Sequence, residues 1–224
     1  MRWTSIAALL PIVALAHPAA AGTIRGRVHL PPAPRAAEAA NAYPGNAHAM
    51  PGMHAPPRGL PADAVVSVER IPAAAESALA RAAAGAAAPQ LAQKDQAFVP
   101  RVLAVATGGA VDFPNQDPIY HNVFSLSSVR RFDLGKYPKG SSRRVTFPRA
   151  GLVNVYCDIH ASMEAFILVL PNHAFTRPSP AGGFALPELP AGRYELRVWH
   201  PDFGTTSTTV DVPATGDAVV EAGW

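Results

Sequence analysis

Tyr156-Cys157-Asp158-Ile159-His160-Ala161-Ser162-Met163 holds the only cysteine in a chain of 224 residues. His160 stands three positions after Cys157, and Met163 three after that. A thiolate, an imidazole and a thioether in one short loop make a soft donor set. Two imidazoles, one thiolate and a weak axial methionine suit a copper ion that cycles between Cu(I) and Cu(II). The second imidazole must come from elsewhere, and His121, in Ile119-Tyr120-His121-Asn122-Val123-Phe124, is the best candidate. Zinc suits the set less well, because structural zinc sites avoid thioethers.

The flanking residues read as strands. Leu152 to Cys157 places Val153, Val155 and Cys157 on one face, and Ala165 to Leu170 is continuously apolar, as a central strand would be. Upstream, Phe98 to Val105 is apolar and β-like, Val111 and Phe113 alternate with Asp112, and Val145 and Phe147 alternate with Arg144 and Thr146. Short strands at this spacing, separated by turns rich in Gly and Pro, predict an antiparallel β-sandwich. Cys157 then lies at a strand end, His160 and Met163 in the loop to the next strand, and His121 in another connection at the same end.

Phe113-Pro114-Asn115-Gln116-Asp117, His121-Asn122-Val123 and the C-x2-H-x2-M run together resemble the blue-copper proteins, the cupredoxins, over about Gln90 to Asn172. The short spacing is most similar to amicyanin-, pseudoazurin- and plastocyanin-like members. The resemblance implies a Greek-key β-sandwich over 90–171 with one type 1 copper ion. His121, Cys157 and His160 would form a trigonal plane, and Met163 would be the long axial ligand. Asn122 would brace the ligand loops through backbone hydrogen bonds. Pro114, Phe124 and Tyr156 would give a dry surround, and one edge of His160 would reach the surface as the electron port.

Beyond Pro171 the pattern changes. Gly183-Phe184-Ala185-Leu186, then Leu189-Pro190-Ala191-Gly192, then Tyr194, Leu196 and Val198 in alternation resemble the carboxypeptidase-regulatory or transthyretin-like β-sandwich. Three C-terminal strands are few for a free-standing sandwich. Thr23–Leu30 and Ala64–Ile71 are two further strands left over at the N-terminal side. The expectation is therefore an all-β protein in which residues 22–71 plus 172–224 form one discontinuous sandwich, with the 90–171 sandwich inserted into it. Insertion is physically easy where the ends of the inserted unit lie close together. Residues 72–89 are alanine-rich and read as a linker or a short marginal helix.

Residues 1–21 read as a cleavable secretory leader, with Arg2, an apolar run Ile6–Ala16 and a small-residue end at Ala19-Ala20-Ala21. That run is too short to span a bilayer, so a periplasmic or secreted protein without an integral membrane span is expected. A lone cysteine in an exported protein cannot form an internal disulfide. Residues 35–63 read as a loop. Within it, His48, Met50, Met53 and His54 are a candidate weak auxiliary copper site, although chance occurrence of these residue types is the more economical reading. His29 and His200 read as structural or surface residues that would approach each other if their strands paired.

The formal charge of +3 is small and scattered, so nucleic acid is not an expected partner. No His-x-His pair and no local Ser/His/Asp arrangement is present, so the chain is not expected to be an enzyme. The functional expectation is an electron carrier between redox proteins, such as a cytochrome or a dehydrogenase and its acceptor. The alternative is a periplasmic copper-binding or copper-delivery protein. Deleting Asn46–Pro56 separates them, since only delivery would lose copper uptake or transfer. The metal-free protein is expected to fold, because a β-sandwich closes without an ion.

Overall fold

The computed structural model describes residues 21–32 and 58–224. Most of the expected leader and the whole His48–His54 tract lie outside the described residues. The strands, in chain order, are β1 (Ala21–Gly22), β2 (Ile24–His29) and β3 (Val65–Val68), then helix α1 (Ala73–Ala83), then β4 (Ala92–Lys94), β5 (Ala97–Val99), β6 (Val102–Ala106), β7 (Ala110–Pro114), β8 (His121–Ser125), β9 (Phe132–Tyr137), β10 (Ser142–Thr146), β11 (Gly151–Tyr156) and β12 (Glu164–Leu170). After these come β13 (Phe175–Thr176), β14 (Gly183–Ala185), β15 (Leu189–Pro190), β16 (Gly192–His200), β17 (Gly204–Val212) and β18 (Ala218–Gly223). The protein is all-β apart from α1 and a single 3-10 turn among the described residues.

The inner half is a sandwich. One sheet has the order β6-β12-β11-β8-β9, and β7 pairs with β10 opposite it. Period-two alternation sends Val153 and Val155 of β11 and Ala165, Ile167 and Val169 of β12 into one dry core. Val111 and Phe113 of β7, Val145 of β10 and nearby Phe147 fill it from the other side. The apolar run Phe98–Val105 is not one strand. It breaks at Pro100-Arg101, so that β5 pairs with β4 while β6 runs parallel to β12. Pro100 has no N–H to continue a ladder, which makes the break local and cheap.

The outer half has its own core, built by the sheets β13-β3-β16-β17 and β14-β2-β18. Segments from both ends of the chain pair directly: Val66 faces Val198 and Thr176, and β2 runs parallel to β18 with Ile24 opposite Ala218. Gly26 allows that last approach, because a Cβ there would overlap the Val220 carbonyl oxygen. Ala21 pairs with Pro190 through β1 and β15. His29 and His200 lie in different sheets and do not approach through paired strands. His29 meets Glu221 at 2.5 Å, and His200 meets the Leu60 carbonyl oxygen at 3.1 Å.

The alanine-rich segment forms α1, favoured by alanine propensity and begun after Pro72. It is docked: Glu76 accepts from the His173 backbone N–H (2.9 Å) and lies 2.7 Å from His173 Nδ1, and Leu79 packs on the outer core.

Between the two halves lies a third apolar cluster of Val65, Val102 and Leu170, with Ala104, Phe166, Leu168, Phe175 and Trp199 against it. Strand β12 therefore belongs to two cores. Met163, just before it, and Ala165, Ile167 and Val169 face the inner core, while Phe166, Leu168 and Leu170 face the outer sandwich. That double burial accounts for the unbroken apolar run in its sequence.

Candidate metal centre

Three donor atoms converge at one end of the inner sandwich. His121 opens β8, Cys157 follows the last residue of β11, and His160 sits in the turn closed by the Met163 N–H donating to the His160 carbonyl oxygen at 3.0 Å. His121 Nδ1 lies 3.1 Å from His160 Nδ1, and Cys157 Sγ lies 3.9 Å and 4.0 Å from the two nitrogens. A triangle with these sides has its centre about 2.1 Å from every corner, which is a metal–imidazole bond length and slightly short of a metal–thiolate one. Electron pairs that converge this closely repel unless a proton or a cation lies between them. Among the described residues, no other three His, Cys, Asp or Glu side chains gather ligand atoms in this way.

Burial differs across the set. His121 is fully buried, Cys157 and Met163 are buried, and His160 is partly exposed. Met163 belongs to the same inner core as Cys157. Burial lowers the basicity of His160, the neighbouring His121 lowers it further, and Asp117 opposes them, so His160 titrates below an ordinary imidazole. It therefore stays neutral and able to ligate into mildly acidic solution.

The far side of the His121 ring is held by a residue that the sequence alone did not single out. His121 Nε2 lies 2.7 Å from Asp117 Oδ2, and both groups are buried. A proton on Nε2 leaves the Nδ1 lone pair facing Cys157 and His160, the arrangement in which a carboxylate fixes the tautomer of a ligating histidine. Asp117 is itself fixed. Asp95 and Gln96, both in left-handed backbone conformation at the β4–β5 turn, donate their N–H groups to its two oxygens at 2.6 and 2.9 Å. Burial alone would raise the Asp117 carboxyl, but hydrogen bonds from Gln96, His121 and Asp95 hold it below the usual carboxylate range.

Asn122 was expected to brace the ligand loops. Its side chain instead donates to Asp133 Oδ1 at 2.8 Å, tying β8 to β9. The loop-spanning bonds come from Asn115. Its Nδ2 donates to the carbonyl oxygens of Ile119 and Tyr137, each at 2.9 Å, and its Oδ1 accepts from the Asp117 N–H. The rings of Phe124 and Tyr156 meet at 5.9 Å on the sheet face opposite Val123 and Val155. Outside the centre, Ile119, Tyr120 and Ile159 are exposed around the connections that carry His121 and His160.

No protein-family model and no curated protein matches the chain. Solved structures resemble part of it. They include a copper-containing nitrite reductase from Thermus scotoductus SA-01, at 24% identity over 37% of this chain, with a TM-score of 0.36. The chain spans only 22% of that reductase. A purple cupredoxin from Nitrosopumilus maritimus matches at 19% identity over 36% of this chain and 98% of its own, with a TM-score of 0.34. A P52G mutant of amicyanin in the reduced Cu(I) form matches at 23% identity over 48% of this chain and 98% of its own, with a TM-score of 0.36. No helix among the described residues is long and apolar enough to cross a membrane.

Proposed function

We propose that the protein is a periplasmic electron carrier with a single type 1 copper centre, which His121, Cys157, His160 and Met163 would hold. The observation that carries this reading is the convergence of one thiol and two imidazole Nδ1 atoms on a point at bonding distance from all three. Copper bound there would supply the Cu(II)/Cu(I) couple. The chain's own residues do the rest. Asp117 and the β4–β5 turn hold His121 in one tautomer and one orientation. The sheet fixes Cys157 at the end of β11, so the donor positions are set by the fold rather than by the ion, and little rearrangement accompanies a change of charge. His160 is the only imidazole of the pair with an exposed edge. It would pass electrons to a redox partner seated over Ile119, Tyr120 and Ile159.

The test is a Cu(II) titration followed by visible and electron paramagnetic resonance spectra, with Cys157→Ser alongside. The expected result is an intense visible band with narrow hyperfine splitting, both lost in the variant. A weak band with ordinary tetragonal splitting that survives Cys157→Ser would refute the reading.

A further inference from the structure

The head of β12, immediately after Met163, is gripped by charged residues of the outer sandwich. Arg101 precedes β6 and is 7% exposed. Its Nη1 and Nη2 donate to the two carboxylate oxygens of Asp202, in the β16–β17 turn, at 3.0 and 2.9 Å. Nη1 also reaches Asp63 at 3.3 Å. Asp202 in turn accepts from the Gly59 N–H at 3.0 Å and lies 3.3 Å from Arg58, and its own N–H donates to His200 Nδ1 at 3.1 Å. Arg58 approaches Glu164, the first residue of β12, at 3.9 Å. Arg101 also holds β12 directly: its carbonyl oxygen accepts from the Phe166 N–H at 2.9 Å, and its guanidinium lies 5.3 Å from the centre of the Phe166 ring. The same ring meets Trp199 of β16 edge-on, with centroids 6.0 Å apart.

Buried ion pairs are poor sources of net stability, because desolvation consumes most of the attraction. What they supply is direction. A two-pronged guanidinium–carboxylate contact accepts only one geometry, and this one ties Arg101, which in turn holds Phe166 of β12, to a turn of the other sandwich. We infer that Asp202, acting through Arg101 and Arg58, is a positioning residue for Met163: the outer sandwich serves as the fixed support that sets where the axial thioether stands relative to the other three donors. The inference rests on the copper reading for its purpose, while the mechanical coupling is a property of the protein without metal. Loosening the grip frees the start of β12 to slide or tilt, and Met163 is the first inward-facing side chain to feel it.

The experiment labels the methionine and valine methyl groups with 13C in metal-free full-length protein and follows the Met163 resonance. Asp202→Asn keeps the shape of the side chain and removes its charge. Expected is a displaced or exchange-broadened Met163 line, while methyl lines of Val111 and Val145 on the opposite sheet stay in place. In copper-loaded Asp202→Asn, the visible and paramagnetic spectra should shift towards a different axial interaction without loss of the thiolate band. Glu164→Gln serves if Asp202→Asn does not fold, and the same displacement is expected. A Met163 line superimposable on that of the unaltered protein in a folded variant overturns the inference. A missing thiolate band in the unaltered protein would instead refute the copper reading, so the two failures are distinguishable.

Discussion

The ring of His121 is held from both sides: Nε2 stands 2.7 Å from Asp117 Oδ2, and Nδ1 stands 3.9 Å from Cys157 Sγ. A carboxylate behind a ligating imidazole fixes its tautomer and its orientation. Removing such a partner typically costs 10–100-fold in metal affinity. Asp117→Ala should therefore weaken copper binding by about that factor, read by competition with a chelator of known affinity. Asp117→Asn should lose less, because the amide oxygen can still accept from Nε2. Equal affinity in all three proteins would show that the contact is incidental.

The acid limit of metal binding follows from His160. Burial and the neighbouring His121 keep it below the ordinary imidazole value of 6.5. A proton competes with the metal for Nδ1, and here it competes less well than in a free imidazole. Copper should therefore be retained below pH 6.5 and released at lower pH. Visible absorption of the copper-loaded protein against pH measures the midpoint. Release centred above that value would contradict the environment described for His160.

Asp202 predicts a second pH dependence, this one in the metal-free protein. Burial alone would raise its carboxyl, yet Arg101, the Gly59 N–H and the charge of Arg101 bring it down to about 2 from 3.8. The folded value is below the unfolded one, so the contribution is fully present above the unfolded value and is lost as pH falls through the folded one. At 1.36 kcal/mol per unit, roughly 2 kcal/mol should disappear between about pH 4 and about pH 2. Denaturant unfolding across that range should show the fall, with a shallower slope in Asp202→Asn.

The two sandwiches should unfold together. Phe147 in the inner core and Leu196 in the outer core are both fully buried. Truncation to Ala should cost about 3–5 kcal/mol at Phe147 and about 2–5 kcal/mol at Leu196. Because Val65, Val102 and Leu170 form one cluster across the junction, either variant should lower a single calorimetric transition. Two separated transitions would mean that the halves are independent.

What the sequence made legible was what is local. Cys157, His160 and Met163 fall within seven residues, so their spacing could be read directly, and His121 stood out beside a strand-like run. Asp117 and Asn115 were in view as part of a motif, but their roles depend on the β4–β5 turn. The left-handed backbone of Asp95 and Gln96 there has no Gly to announce it. Strand β9 went unread because Phe132-Asp133-Leu134-Gly135-Lys136-Tyr137 is a half-exposed edge with a Gly inside it. Strand β18 went unread because Ala218–Gly223 is short and alternates weakly. The unbroken apolar run Ala165–Leu170 marks a central strand, yet nothing in it says that its second face packs against the other sandwich.

The pairing of β3 with β13 and β16, and of β2 with β18, brackets the whole inner sandwich. Bringing Val66 to Thr176 through an unfolded intervening chain means closing a loop of about a hundred residues, with an entropic cost that grows as the logarithm of that length. An inner sandwich that has already folded delivers the two ends side by side and removes most of that search. The order of events is thereby written into the nesting: the inner sandwich is complete in sequence by Leu170, while the outer sandwich must wait for the last fifth of the chain to be made. By this loop-closure argument, closure of β2 onto β18 is expected as the last step of folding, with the support of the Met163 strand assembled after the strand it supports.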